Sequence, residues 1–194
     1  MAPLYLALLH FPVYDKNGQV VTTAITHMDL HDIARVGRTY GVRRFYVVTP
    51  VNALRDLAAR LLAHWETDYG ATYNWTRKEA LAIVNLTEDL DRTIIDVEAD
   101  AGTTPLLLVT SARTRHPTLT YAALRRLVRD GEHPLLVLFG TGWGLTEAVI
   151  GRADHRLPPI MGIDGYNHLS VRTAAAIVLD RICGGREEEE ETRT

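Results

Sequence analysis

At 194 residues, with 46% hydrophobic and 23% charged side chains, the chain fits one folded domain able to bury about 70% of its unfolded surface. No apolar run approaches the ~20 residues of a membrane-spanning helix, and the single Cys183 excludes an internal disulfide or a cysteine zinc cluster. The net charge of −3 sits entirely in the tail 186–194, so the body 1–185 is neutral and lacks the strongly basic balance of a dedicated nucleic-acid-binding domain.

The opening MAPLYLALLHF has no basic leader region and reads as a first strand at Leu4–His10. A helix is predicted over Asp29–Tyr40, with Leu30, Ile33, Val36, Gly37 and Tyr40 on one apolar face and His31, Arg35 and Arg38 on the opposite face. Asp29 and Asp32 favour the positive end of that helix, and His27 precedes it. A strand at Arg44–Thr49 and a helix at Val51–Glu66 follow, then an aromatic-basic stretch, His64–Lys78, that suits base stacking, a packed loop or a dimer contact. Further on, a strand at Ala82–Leu86 precedes a helix at Glu88–Asp100, which Thr87 is placed to cap. Strands at Pro105–Thr110 and Pro134–Phe139 flank a helix at Tyr121–Arg129 that Gly131 stops. The cores of both strands, Leu106–Val109 and Leu135–Leu138, are continuously apolar, as strands covered on two faces are. A last helix, Ser170–Cys183, begins at a capping serine, and the tail holds five glutamates and two arginines, the composition of a disordered end.

Strand and helix alternate throughout, which predicts an α/β fold with a mostly parallel sheet flanked by helices, in one domain over 1–185. Gly140, Gly142 and Gly144 follow a buried strand directly, and a second loop rich in proline and glycine, 157–170, feeds the last helix. Glycine lets backbone approach a ligand without an intervening Cβ, so two such loops point to a small molecule held by main chain. A nicotinamide-binding fold fits poorly. Its fingerprint is G-x-G-x-x-G after the first strand, whereas the spacing here is G-x-G-x-G after a late one. His27 and His31 lack the intervening glutamate of a zinc helix, so no metal is expected, and no G-x-S-x-G elbow occurs.

Three stretches in fixed order resemble the motifs of one family: DLHDIARVGRTYGV from Asp29, LLVLFGTGWGLT from Leu135, and LPPIMGIDGYNHLSVRTAAAI from Leu157. Together they resemble the SPOUT class of trefoil-knotted, S-adenosylmethionine-dependent RNA methyltransferases, and within it the relatives of the tRNA guanine-N1 methyltransferases. The resemblance implies a deep C-terminal trefoil knot and S-adenosyl-L-methionine held by the loops Thr110–Arg113, Phe139–Leu145 and Leu157–Ser170. Cofactor-binding residues are then expected among Thr110, Phe139, Gly140, Thr141, Gly142, Leu157, Ile160, Met161, Gly162, Asn167, Leu169 and Ser170. The apolar side chains Ile160, Met161 and Leu169 would sandwich the adenine.

Arg35 stands where the ribose-methylating branch carries an arginine thought to reach the partner subunit's pocket. The resemblance makes it a catalytic candidate, although the residues alone read equally well as a solvated helix face. Asp164 is a candidate proton acceptor or a plain turn residue before Gly165, and His168 is either a second candidate or part of the helix start. Arg38, Arg113 and Arg115 are candidate substrate contacts, since a guanidinium grips phosphate through two donors at once. His116 extends the Arg113–Arg115 patch. The expected protein is a cytoplasmic homodimer acting on tRNA or rRNA, at a base or a ribose. A knotted dimer that binds S-adenosylmethionine or RNA without catalysis is the alternative.

Overall fold

The computed structural model describes residues 1–67, 74–113 and 118–184. The acidic tail, and with it the expected disorder of 186–194, lies outside them, as do Tyr69, Tyr73, Arg115 and His116.

Six parallel strands form the sheet. They are β1 (Leu4–Leu9), β4 (Arg44–Val48), β5 (Val84–Thr87), β6 (Leu106–Val109), β7 (Leu135–Gly140) and β8 (His155–Arg156), in the spatial order β5-β4-β1-β7-β6-β8. The period of two in each strand assigns its residues to opposite faces. Leu4, Leu6 and Leu8 of β1 join one core cluster with Phe45, Val47, Val137 and Phe139. Tyr5, Ala7 and Leu9 join the other with Tyr46, Val48, Leu136 and Leu138. Both faces are covered, which is why the strands read as unbroken apolar runs.

Helices α1 (His27–Thr39), α2 (Asn52–Thr67), α3 (Trp75–Leu81), α5 (Tyr121–Asp130) and α7 (Val171–Cys183) bury their apolar side chains in the first cluster. Helix α4 (Leu90–Ala101) and the single turn α6 (Glu147–Ile150) cover the second. The apolar stripe of α5 is typical: Leu124 and Val128, one turn apart, are buried, while Arg125, Arg126 and Arg129 face outward. Ser170 caps α7 by accepting from the Thr173 amide, as the sequence predicts.

Four local expectations need correction. The cap of α4 is Asp89, whose side chain accepts from the Arg92 amide, and Thr87 is instead buried against the Thr93 hydroxyl at 2.7 Å. His27 is the first residue of α1, which Thr26 caps. His31 does not face solvent: it is 7% exposed, with the Trp65 ring 5.4 Å away edge-on, because α2 and α3 lie over that side of α1. Part of the aromatic-basic stretch is α3, and Arg77 packs over the Trp65 ring at 4.7 Å.

A hairpin of two-residue strands, β2 (Val13–Tyr14) and β3 (Val20–Val21), was not visible in the hydrophobic pattern. Asp15 accepts from the amides of Asn17 and Gln19, and Gly18 takes a left-handed φ of 77°, so the turn closes on its own hydrogen bonds.

Candidate active site

Beyond the carboxyl ends of β6 and β7 lies a cavity of about 590 Å³. That is where ligands sit in open parallel sheets, and the size falls within the ~300–1,000 Å³ of small-molecule sites. Three loops and one strap build its wall. The strap is Thr23–Thr26, leading from β3 into α1; the loops are 110–113 after β6, 139–144 after β7, and 158–170 before α7.

The glycines of the β7 loop are needed for its own geometry. A Cβ on Gly140 would sit 2.8 Å from the Leu145 amide nitrogen, because the loop folds back on itself. Gly142 has φ 57°, and its missing Cβ would lie 2.8 Å from the Tyr14 carbonyl oxygen. The hairpin makes that approach: the Trp143 amide donates to Tyr14 at 2.8 Å, and the Tyr14 amide donates to Gly144 at 2.9 Å. Close backbone packing here is protein against protein, with the cavity on the other side of the same loop.

A buried polar chain ties the strap to this loop. Thr141 donates its hydroxyl to the Leu9 carbonyl at 3.1 Å, and Thr23 lies 2.5 Å from Thr141. His10 Nδ1 is 3.0 Å from the Thr23 hydroxyl. With Thr141 committed to Leu9, Thr23 donates to Thr141 and accepts from His10, so the imidazole carries a proton on Nδ1. Burial pushes His10 down to about 4, against the raising influence of Asp29, which leaves the ring neutral near pH 7 with Nδ1 as its donor.

On the far side, Asp29 is buried in the cavity wall. It accepts from the Thr26 hydroxyl at 2.6 Å and from Arg172 Nη1 at 3.0 Å, and Arg172 Nε also reaches Asp32 at 3.3 Å. The starts of α1 and α7 are thereby locked together. Asn167 closes the circuit by donating to the Ala112 carbonyl at 2.8 Å, joining the third loop to the first.

Of the sequence candidates, Thr110, Phe139, Gly140, Thr141, Gly142, Ile160, Asn167, His168, Leu169, Ser170 and Arg113 line this cavity. Three do not. Leu157 is fully buried in the core, donating its amide to Val109; Met161 is exposed; and Gly162 forms a tight internal turn against the Tyr166 carbonyl. Asp164 lies on the exposed stretch 161–166, outside the wall. Arg38 is paired with Glu79 on α3. Arg35 is exposed on α1, is not among the residues lining the cavity, and has no side-chain hydrogen bond or ion pair among the described residues. Arg115 lies outside the described residues. Sequence reasoning missed Arg172, His10 and Thr23, and saw Asp29 only as a helix-end charge. The Asp29–Arg172 pair spans 143 residues, so no local spacing announces it.

The donor set fits a nucleoside-like cofactor. Phe139, Ile160, Leu169 and Val178 offer apolar contact, the Thr110 hydroxyl, which donates to the Leu138 carbonyl, can still accept from a ligand, and the glycine loop brings backbone to the rim. Among the described residues no group of three or more His, Cys, Asp or Glu is placed to hold a metal, and no helix is long and apolar enough to cross a membrane.

Comparison with known proteins decides the family. Residues 3–184 match the SAM-dependent RNA methyltransferases. The chain belongs to that family. An uncharacterized protein of Aquifex aeolicus (strain VF5) is 41% identical over 92% of this chain and 87% of its own. A tRNA (guanine-N(1)-)-methyltransferase of Oleidesulfovibrio alaskensis is 42% identical over 93% of this chain, which spans 42% of that relative's length.

Solved structures of lower identity share the fold. TrmJ from Z. mobilis ZM4 superposes with a TM-score of 0.62 at 15% identity, over 99% of this chain and 76% of that one. The SpoU methyltransferase AviRb from Streptomyces viridochromogenes, in complex with AdoMet, superposes with a TM-score of 0.58 at 16% identity, over 96% and 58%. The fold is therefore the knotted α/β fold of the SPOUT methyltransferases, and the cofactor of this family is S-adenosylmethionine.

Proposed function

We propose that this SAM-dependent RNA methyltransferase modifies a nucleotide of tRNA or rRNA, working in the cytoplasm as a homodimer. The observation that carries the reading is the 590 Å³ cavity, two of whose three loops, 139–144 and 158–170, fall in the stretches that resemble the family motifs. The 139–144 loop, with Ile160 and Leu169, would hold the nucleoside part of the cofactor, and Asn167 would keep the third loop in register over it. The cofactor supplies a methyl group already activated on a sulfonium, so the chain's own task is chiefly to orient the acceptor.

Arg35 supports a dimeric site. It is exposed and unpaired among the described residues, and it does not line the cavity of its own chain, which leaves it free to serve a partner's. There its guanidinium would hold a phosphate or ribose of the RNA. Asp164 would meet the acceptor across the same contact and take its proton. The exposed apolar side chains Met161, Ile163 and Tyr166 on that loop give a dimer something to bury. Arg113 holds RNA at the cavity mouth, whereas Arg38, engaged with Glu79, has the weaker claim.

Calorimetry with S-adenosylhomocysteine, followed by radiolabelled methyl transfer to tRNA and rRNA from a strain lacking the protein, tests the proposal. Cofactor binding with transfer to one of these RNAs is expected. Absence of transfer to both sinks it. Sedimentation at micromolar concentration reads the dimer directly.

A further inference from the structure

A second, smaller cavity of about 180 Å³ adjoins the first. Ser111, Arg113, Trp143 and Gly144 line both, so the two share one rim. The wall of the smaller one includes an aromatic plane, two cations and one carboxylate. Trp143 leaves half of its surface exposed, with the Arg113 guanidinium 5.7 Å from its ring centroid. Arg156 and Glu147 are exposed in the same wall, and neither side chain has an ion-pair partner among the described residues. The Glu147 amide is held by the Tyr14 hydroxyl at 3.4 Å, which anchors the start of its turn to the hairpin.

We propose that this cavity binds a guanine nucleotide of the RNA, next to the nucleotide that receives the methyl group. The inference rests on the RNA methyltransferase reading above and names part of its substrate.

Unpaired RNA bases are commonly held by stacking on an aromatic ring and by hydrogen bonds to their Watson–Crick edges. Trp143 supplies the plane, while Arg113 and Arg156 supply donors for the flanking phosphates. Glu147 sets the base. A carboxylate is acceptor-only, and guanine alone presents two adjacent donors on that edge, N1–H and the N2 amino group. Adenine and cytosine present a ring-nitrogen acceptor there, and uracil flanks its one N–H with two carbonyls, so each places a lone pair against the carboxylate. A guanine held in this way has its N1 covered by Glu147. It is therefore a neighbour that fixes the register of the RNA, and the methyl acceptor lies in the larger cavity.

The test uses the full chain loaded with S-adenosylhomocysteine. Guanosine 3′,5′-bisphosphate and adenosine 3′,5′-bisphosphate are titrated while tryptophan fluorescence is followed, and Trp143→Phe identifies the responding ring. The guanosine compound is expected to bind at least tenfold more tightly and to quench Trp143. Glu147→Gln removes that preference and leaves S-adenosylhomocysteine affinity within threefold. Arg156→Ala weakens both nucleotides alike. Equal binding of the two compounds, a preference that survives Glu147→Gln, or displacement of S-adenosylhomocysteine by the guanosine compound each overturns the assignment. Failure of S-adenosylhomocysteine itself to bind condemns the methyltransferase reading instead, so the two failures are distinct.

Discussion

At the amino end of the sheet, Tyr5, Arg43 and Arg44 converge on one carboxylate; at the carboxyl end, the strands open into glycine turns, exposed apolar side chains and two cavities. Asp100, near the end of α4, accepts from the Tyr5 hydroxyl at 2.6 Å and pairs with Arg43 and Arg44, each at 2.7 Å. Burial alone would raise its carboxyl, but the hydrogen bonds from Tyr5 and Arg44 and the two positive charges outweigh that and hold it below the ordinary carboxylate range. Neither of the two cavities described above reaches this end. The carboxyl end spends its polar contacts differently, on joining separate loops: Thr23 to Thr141, Asn167 to Ala112, Arg172 to Asp29. One end secures the fold, and the other holds a shape for a ligand.

Acid should separate the two ends most strongly. Burial pushes His10 from 6.5 down to about 4, and burial together with the neighbouring His27 and Arg77 does the same to His31. Each folded imidazole refuses a proton that the unfolded chain accepts. Their stabilisation is thus complete above pH ~6.5 and is lost as pH falls towards 4, on the order of 3 kcal/mol per histidine. The depressed Asp100 carboxyl works in a lower window, contributing above its unfolded value and failing only as pH falls through its lowered folded value. Urea denaturation at pH 7, 5.5 and 4 should show stability falling across the histidine window. Equal stability at pH 7 and 4 would mean that neither histidine is buried in the neutral form.

Cutting the amino-end network comes next in size. Asp100→Ala leaves the buried Tyr5 hydroxyl without its partner and should lower stability by about 2 kcal/mol, while the half-exposed Arg43 and Arg44 return to solvent at little cost. S-adenosylhomocysteine affinity should stay within threefold once the variant is folded. A large loss of affinity would show that the ends are coupled through the sheet.

How much of each end could be read from the sequence follows from the range of the forces involved. The strands were legible because Leu106–Val109 and Leu135–Leu138 are covered on both faces and carry no polar residue. Gly140, Gly142 and Gly144 marked the cavity loop, although the structure shows Gly142 yielding space to the Tyr14 carbonyl rather than to a ligand. The hairpin that makes this demand has strands of two residues, too short to show any period. His31 was misplaced because α3, which helps to bury it, lies in a stretch whose aromatics read as a loop. Arg172 and Asp29 carry no signal at all until the chain brings α7 back beside α1.

Gly142→Val probes the carboxyl end alone. A φ of 57° is strained for a β-branched residue, and the added Cβ meets the Tyr14 oxygen at 2.8 Å. Stability should fall by about 2 kcal/mol, and S-adenosylhomocysteine should bind at least tenfold more weakly, about 1.4 kcal/mol. Retained affinity would remove the 139–144 loop from the cofactor site.

The smallest thermodynamic effect belongs to Arg35→Ala, and there the absence of effect is itself informative. Arg35 has no side-chain partner among the described residues and no place in the cavity wall, so stability should change by less than about 0.5 kcal/mol. Cofactor affinity should stay within about threefold, under ~0.7 kcal/mol. Methyl transfer should nevertheless fall at least a hundredfold, because the guanidinium is proposed to act on RNA at the partner's cavity. A mixed dimer of Arg35→Ala and Gly142→Val subunits separates this from a role within one chain. If Arg35 works across the interface, the Gly142→Val subunit lends its arginine to the intact cavity of the other subunit, and about half of the native sites recover in each mixed dimer. If Arg35 works within its own chain, no subunit of that dimer holds both an arginine and an intact cavity, and transfer stays at the level of the single variants.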